Sequence, residues 1–466
     1  MLTPSVRLPL LAGLVIVAAG CVTTAPPERV SLPAPAPAPK PPPLHSPPPA
    51  LTQAAATAPA DGSSVPDTPL TLDELTRRAI ASHPRLGRAT FAVESARGRL
   101  TQAGLYPNPV FGFTADELGD RTGPAGILAP LVSQEVVLGG KLGLSQAVAA
   151  REVDQATLGL LAERYALVGS VRATFYETLA LKERAAILAD LVKLAEQSVS
   201  LGRKSFEAKQ IARLDVVQLE VEAERLRAEA EAVERELPAA TRRLTAVVGD
   251  PRLPASAVSG TLDRPLPEYD LERAKEAVLA GHPEVLSARV AVDRARAAVR
   301  RAEAEVVPNV TLSAGYTRQN QNRSNDWAAG VSVPLVLWNR NQGNIRAAQA
   351  EVGAAAQEVG RVEADLAARL AQAFQTYAAA RQRVGRYTGA ILPRAEETYK
   401  LSLEAFKGGQ FEYLRVLQAQ RAVAEARLEL NRALGEAWRA AGEISGLLLE
   451  EGWPVAPPAP VPPQKP

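Results

Sequence analysis

Apolar side chains recur at alternating spacings of three and four along two stretches of the chain. In the first they are Leu86, Ala89, Val93, Ala96, Leu100 and Ala103; in the second they are Val285, Ala288, Val292, Ala295, Val299 and Ala302, at an offset of 199. Such seams predict helices that pack on helical neighbours, and the alanines allow a close approach. Each helix opens on a His-Pro pair, His83-Pro84 and His282-Pro283, because proline is tolerated in a first helical turn. Each ends at a Pro-Asn step, Pro107-Asn108 and Pro308-Asn309, after which the pattern switches to period two. Phe111, Phe113 and Ala115 alternate with Gly112, Thr114 and Asp116; Val310, Leu312, Ala314 and Tyr316 alternate with Thr311, Ser313, Gly315 and Thr317. These are strands with one apolar and one polar face. A second strand is expected in each copy, over "LVSQEVVL" (131–138) and "GVSVPLVL" (330–337). Polar loops separate the strands, notably "RQNQNRSND" (318–326), and sharp turns come after them at 139–141 and 338–344.

The periodicity then returns to helix. No proline occurs from Lys141 to Leu237, too long a run for one helix in a compact domain, so a helical hairpin is expected. Its tip is marked by a second matched pair, "SFEAKQIARLDVVQLE" from Ser205 and "AFKGGQFEYLRVLQAQ" from Ala405. Phe206, Gln210, Leu214 and Gln218 correspond to Phe406, Gln410, Leu414 and Gln418 at an offset of 200. Lys141 to Ser205 would span about 95 Å as a helix, against about 30 Å for a bilayer core. The chain thus reads as two copies of helix, strand, strand, long helix, tip, long helix. The copies differ at Leu392-Pro393, which has no proline counterpart near Leu191 and is expected to kink the second hairpin alone.

The ends differ in kind. Arg7 precedes an apolar run, Leu8 to Ala19, that is too short to span a bilayer and leads to Ala19-Gly20-Cys21. This is the pattern of a secretory signal. Small residues before a lone cysteine resemble a bacterial lipobox, which would make Cys21 a lipidated first residue; the alternative is an ordinary signal peptide. Val22, in place of Asp, points to the outer membrane within that class. Fifteen prolines between Val22 and Pro69 predict an extended tether. The expected organisation is a signal at 1–20, a lipidated cysteine and tether at 21–69, a first repeat at 70–250, a linker at 251–269, a second repeat at 270–451 and a Pro-rich tail at 452–466.

Composition narrows the chemistry. Lys and Arg number 53 against 51 Asp and Glu, so bulk charge points to no nucleic acid. Cys21 is the only cysteine, which excludes an internal disulfide and a Cys/His zinc site. His45 falls in the tether, while His83 and His282 fit a structural role better than metal ligation. No catalytic set or phosphate loop stands out, so no enzyme and no cofactor is expected. Four strands cannot close a membrane barrel, since the small ones need about eight. The open edges argue for several chains sharing one barrel, with a soluble four-stranded sheet as the alternative.

The duplicated layout, the His-Pro helices, the Pro-Asn steps and the tip motif together resemble the TolC-like outer-membrane efflux family over about residues 71–446. "PLVLWNRNQGNIRAAQAEV" (334–352) and "SQEVVLGGKLGLSQAVAAREV" (133–153) resemble its cobalt–zinc–cadmium resistance branch. The resemblance implies a mainly α fold with a small β part: a homotrimer whose twelve-stranded outer-membrane barrel continues as a periplasmic α-helical barrel. It implies a passive exit duct served by a periplasmic adaptor and an inner-membrane resistance-nodulation-division pump, with divalent heavy-metal cations as cargo, or drugs in a duct of the same fold. A periplasmic adaptor or a structural envelope lipoprotein is a different class; an adaptor would need one hairpin and more strands. The resemblance places adaptor docking at Phe206, Gln210, Leu214, Gln218, Phe406, Gly408, Gly409, Gln410, Leu414 and Gln418. The first tip has Ala208-Lys209 where the second has Gly408-Gly409. Asp215 and Arg415 occupy equivalent places and are the candidate gate; two solvated charges are the alternative.

Overall fold

The computed structural model describes residues 71–118, 126–250, 258–408 and 413–453. Cys21, His45, Gly409 and Gln410 lie outside them. The elements run α1 (Leu72–Ser82), α2 (Pro84–Ala103), β1 (Val110–Asp116), β2 (Ile127–Val136), α3 (Lys141–Glu207) and α4 (Arg213–Val248), then α5 (Leu271–Gly281), α6 (Pro283–Ala304), β3 (Val310–Gln319), β4 (Ser324–Ser332), α7 (Gln342–Arg386), a π-helical turn (Tyr387–Ile391), α8 (Leu392–Lys407) and α9 (Tyr413–Leu447).

The predicted seams are the packed faces. Leu86, Val93 and Ala96 of α2 and Val285, Ala288, Val292 and Ala295 of α6 are buried. The His-Pro pairs, however, do not open the first helix of each repeat. A short helix precedes each, and the histidine joins the two. His83 ends α1 and its Nδ1 accepts the Arg85 N–H at 3.0 Å; His282 ends α5 and accepts the Glu284 N–H at 3.3 Å. Proline drives this arrangement: it pushes the preceding residue into extended backbone, which breaks one helix, and it pre-forms the first turn of the next.

The strands form one antiparallel sheet in the order β1-β2-β3-β4. Their boundaries correct the expected ones. β2 starts at Ile127 and β4 at Ser324, and most of the supposed polar loop 318–326 is strand. Only 320–323 turns, with Arg323 at φ 58°. Polarity misled here because side-chain character does not disturb a backbone ladder. The stretch beyond Ser332 leaves the sheet instead, and Pro334 has no N–H to give to it.

α3 is an unbroken 67-residue helix, about 100 Å long at 1.5 Å per residue. In the second repeat the same path is α7, the π turn and α8, with Pro393 in the first turn of α8. The π turn supplies the frame shift that lets the helix pass a proline. Pro238, by contrast, sits inside α4 without ending it.

The main core lies where the two repeats meet, around α3, α7 and α9. Trp438 is fully buried, stacks on Tyr176 at 4.8 Å and donates its Nε1–H to the Leu262 carbonyl at 2.9 Å. Leu262, in the inter-repeat linker, is also fully buried, and its N–H donates to Glu183 at 3.0 Å. Tyr269 packs edge-on against Phe374 and Tyr377, and burial holds its hydroxyl proton well above the usual range. Arg172 is 2 % exposed and clamps the end of the second repeat, donating to the Glu450 and Glu451 carbonyls at 2.8 and 3.1 Å and to Ser445 Oγ at 3.0 Å.

α3 and α9 approach closely because their contact is written in small residues. A Cβ on Gly446 would lie 2.9 Å from the Gly169 Cα, and one on Gly435 would lie 2.6 Å from the Ala180 Cβ. Gly353, within α7, has nothing within 4 Å of such an atom. Gly446→Val is therefore expected to destabilise the chain by about 1–3 kcal/mol through overpacking. Gly353→Ala is expected to stabilise it by up to about 1 kcal/mol through helix propensity. Thermal unfolding of the detergent-solubilised protein, followed by circular dichroism, checks both; equal shifts would contradict the packing account.

Candidate functional site

Three places have the geometry of a working part: the strand wall, the seam where helices stack, and the hairpin tips. In the wall, opposed residues share a face. Phe111 opposes Val132, which opposes Ala314, which opposes Ala329; Leu312 opposes Val331, and Tyr316 opposes Trp327. That face is apolar and open: Phe111 is 68 %, Trp327 84 % and Val331 70 % exposed. The opposite face carries Thr114, Asp116, Ser133, Glu135, Thr311, Ser313, Thr317 and Asp326, following the alternation of the strands. An apolar face in contact with nothing is stable against hydrocarbon, and the polar face then lines water. No described helix is long and apolar enough to cross a membrane.

Each strand continues into a helix in the same lateral order: α2 into β1, β2 into α3, α6 into β3 and β4 into α7. Asn309 fixes the middle junction. Its Oδ1 accepts from the Lys141 ammonium at 2.8 Å and from the Leu138 N–H at 3.4 Å, and its Nδ2 donates to Glu135 at 2.6 Å. Lys141 is 3 % exposed and also lies 3.6 Å from Glu305, whose carboxyl is held below the usual range by its bond to Arg301 and by Lys141. The duplicated Pro-Asn step announced this residue, but its sequence context showed only a strand start.

At the seam, the C-terminus of a lower helix meets the N-terminus of an upper one. α4 ends in Gly249 at φ 79°, with the Asp250 N–H bonded back to the Thr245 carbonyl at 3.2 Å; a Cβ on Gly249 would lie 2.9 Å from the His83 ring. α9 ends the same way, with Leu449 at φ 61° and the Glu450 N–H on the Ser445 carbonyl at 3.0 Å. The His-Pro pairs therefore mark where upper helices begin beside these closures. A recess of about 670 Å³ lies between α3, α6, α7 and α9, lined among others by Glu177, His282, Glu284, Arg369 and Glu443. Its carboxylates are paired: Glu284 with Arg369 at 3.4 Å, Glu177 with Arg243 at 3.2 Å, and Glu443 with Arg439 at 2.8 Å. Among the described residues no group of His, Cys, Asp and Glu could hold a metal ion.

At the tips, α3 ends at Glu207, and Lys209 takes the left-handed conformation, φ 56°, without being glycine. Gly408 has an ordinary φ of −81°. Asp215 is half-buried, and its Oδ2 accepts the Ala212 N–H at 3.0 Å, which caps α4; Arg415 is exposed on α9. One oxygen of the Asp215 carboxylate thus serves its own helix. The two tips are nonetheless joined: Ile211 and Leu219 of the first pack in one cluster with Leu403, Phe406 and Val416 of the second. Above it, Ser198 donates to Gln420 at 3.2 Å in a buried contact, and Arg225 lies 3.9 Å from Glu425. Phe206 and Leu214 are 43 % and 66 % exposed, Gln210, Gly408 and Gln418 are exposed, and Gln218, Phe406 and Leu414 are half-buried. With Val217 and Val221, Leu214 forms an exposed apolar stripe on α4.

A row of strands with one lipid-compatible face, extended by a row of long helices, is a segment of the wall of a hollow membrane tube. The profile of the family described as "Outer membrane efflux protein" matches residues 275–448. The chain is 28 % identical to the cobalt-zinc-cadmium resistance protein CzcC of Cupriavidus metallidurans, over 82 % of this chain and 90 % of that protein. Its fold matches the outer membrane protein VceC of Vibrio cholerae with a TM-score of 0.65, at 20 % identity over 81 % of this chain and 95 % of VceC. The open MtrE outer membrane channel of Neisseria gonorrhoeae also matches, with a TM-score of 0.65 and 20 % identity, over 81 % and 88 % of the two chains. The likeness to that family covers residues 275–448, and the likeness to CzcC covers most of the chain.

His282 gives the seam a testable pH dependence. Burial and the Arg369 charge push its pKa below 6.5, against the opposing pull of Glu284. The folded chain thus prefers the neutral ring, whose Nδ1 serves as acceptor. This stability is fully present above the unfolded pKa near 6.5 and is lost as pH falls toward the folded value. A tenfold difference in proton affinity between folded and unfolded chains corresponds to about 1.4 kcal/mol. His282→Asn retains a capping oxygen but does not titrate. Its Tm is expected to fall less than that of the wild type between pH 7.5 and 5; parallel losses would refute the assignment.

Proposed function

We propose that this chain is one third of an exit duct that passes divalent heavy-metal cations across the outer membrane. The observation that carries the reading is the four-stranded sheet with one apolar face, one polar face and two open edges, each strand continued by a helix. Three copies make twelve strands, above the minimum of about eight for a closed membrane barrel. The helices continue the tube into the periplasm, and lipid on Cys21 adds an anchor to the outer membrane. An adaptor docks on the hairpin tips, where the stripe Leu214, Val217 and Val221 offers it an apolar contact. An inner-membrane resistance-nodulation-division pump drives the cargo. The duct is passive and has no catalytic site or cofactor.

The cargo assignment rests on the likeness to CzcC, the cobalt-zinc-cadmium resistance protein. Paired carboxylates in the seam recess suit a tube that conducts cations without retaining them. A strain lacking this chain is expected to become sensitive to zinc, cobalt and cadmium and to retain them, while its tolerance of hydrophobic drugs is unchanged. Sensitivity confined to drugs would keep the duct and discard the cargo; no sensitivity to either would discard the duct.

We assign the resting closure of the mouth to Asp215 and Arg415 meeting between hairpins of the assembled tube. An exposed ion pair contributes only about 0–1 kcal/mol, so the effect depends on several copies acting together. Reversing either charge alone is expected to raise single-channel conductance in planar bilayers several-fold, and reversing both to restore it. Unchanged conductance in the single variants would remove these residues from the gate.

A further inference from the structure

The offset between the two copies changes along the descending helices of the hairpins. Leu167, Val171 and Phe175 of α3 correspond to Leu366, Leu370 and Phe374 of α7, 199 positions on, and all six are buried. Nearer the tips the offset is 200: Glu196 pairs with Arg227 at 2.6 Å, and Glu396 pairs with Arg427 at 2.7 Å. The returning helices hold 200 from the tips to the core. Leu226, Ala240 and Leu244 of α4 match Ala426, Ala440 and Ile444 of α9, again all buried. The second hairpin therefore carries one extra residue between Phe374 and Glu396, and its partner helix α9 carries none to match it.

The π turn, Tyr387–Ile391, falls inside that window, and the Leu392 N–H donates to the Tyr387 carbonyl five residues back. Such a turn absorbs one residue more than the α-helical turn it replaces. In an unbroken α-helix the extra residue would rotate everything beyond it by about 100° and push it about 1.5 Å along the axis, which would carry Glu396 away from Arg427. Packing changes at the same level. In the first hairpin Leu188, Leu191 and Ala195 are buried there. In the second, no residue of the π turn or of α8 is buried within the chain, and Ile391 is 42 % exposed. Arg383, just before the turn, is tied to Glu429 at 3.5 Å and to Glu436 on α9. Beside the turn lies a recess of about 670 Å³, lined among others by Arg184, Tyr387, Ile391, Ala422 and Glu425.

We propose that the inserted residue makes the π turn a joint. α8 bends on α7 there, Arg383 holds the helix above the bend to α9, and Ile391 moves into the recess as the second tip swings. A helix bends most readily where its hydrogen-bond ladder is interrupted in this way. Each chain then has one unbroken hairpin and one jointed hairpin. The joint follows from the geometry alone; its use in opening the duct rests on the function proposed above.

Two measurements on the full-length protein separate these parts. Hydrogen exchange of the detergent-solubilised protein, read by mass spectrometry, is expected to be at least tenfold faster over 387–396 than over the matching stretch 188–196. Deleting Gly389 together with Pro393→Ala removes the extra residue and the helix breaker, and is expected to slow the second stretch to the rate of the first. Pro393→Ala alone keeps the extra residue and is expected to stay fast. Equal exchange in the two wild-type hairpins would overturn the joint, and slow exchange in Pro393→Ala would overturn its origin in the insertion. The opening is read in a strain lacking this chain. The deletion variant, present at the wild-type level, is expected to restore less than a third of the zinc tolerance that the wild type restores. Full restoration would overturn the use of the joint in opening. A wild-type chain that restores no tolerance would count against the metal duct instead, and the exchange rates would still decide the joint. If the deletion variant does not assemble, Ala422→Trp, which fills the recess, takes its place with the same two expectations.

Discussion

A strand edge cannot be left bare in hydrocarbon. Each unsatisfied N–H or C=O there costs several kcal/mol, and water is not available to supply the partner. This constraint organises the molecule. A four-stranded sheet with an apolar face belongs in lipid, yet its two edges forbid it to be there alone. On the proposed reading the sheet is a fraction of a ring that copies of the chain close. The helices inherit the same circumferential order, since each strand is tied through a short turn to the helix beneath it. Closure at the top thereby dictates how the long helices stand side by side below.

Duplication makes the closure economical. Within the chain the two copies meet through the β2–β3 ladder. The similarity persists where geometry is shared and the side chains differ. Both lower helices end in a left-handed closure, although one uses Gly249 and the other Leu449. Both upper helices begin at a histidine whose ring accepts a backbone N–H two residues on. The histidine is here a capping group that can lie at a crowded helix junction and satisfy a donor there. That is why a chain with three histidines spends two of them at equivalent places.

Much of this was legible in the sequence, and the limits have physical causes. The heptad seams of α2 and α6 could be read because burial keeps to a single period there. β4 was misplaced because a polar strand and a polar loop have the same composition, and only the partner strand tells them apart. The short helices α1 and α5 merge in the pattern with α2 and α6, since a break one residue long leaves no trace in periodicity. The bonds made by Asn309 and Arg172 and the Ser198–Gln420 contact were not legible at all. Each joins positions more than 150 residues apart, and a single sequence carries no signal for such pairs. At the tips the Gly408-Gly409 contrast with Ala208-Lys209 suggested different turns, but Lys209 adopts the left-handed conformation itself. Conformational need is a weaker constraint on residue type than the glycine rule implies, where a loop is exposed and the cost is about 1–2 kcal/mol.

Where the repeats diverge is informative in its turn. The first hairpin rises on α3 without interruption, and the matching path in the second is broken by a π turn and Pro393. A π turn carries poorer hydrogen bonds and is a frequent site of bending. The turn lies below the main core and above the tip cluster, so bending there would move the second tip and leave the wall undisturbed. Toward the tips the hairpins meet through the cluster of Leu188, Leu191, Ala223 and Ala424, through Ser198 with Gln420, through Arg225 near Glu425 and through the cluster around Leu219 and Val416. Above it stands Trp438 with its stacked and hydrogen-bonded partners. Packing is thus densest in the helical core around Trp438, and the break in the symmetry of the repeats falls between that core and the tips.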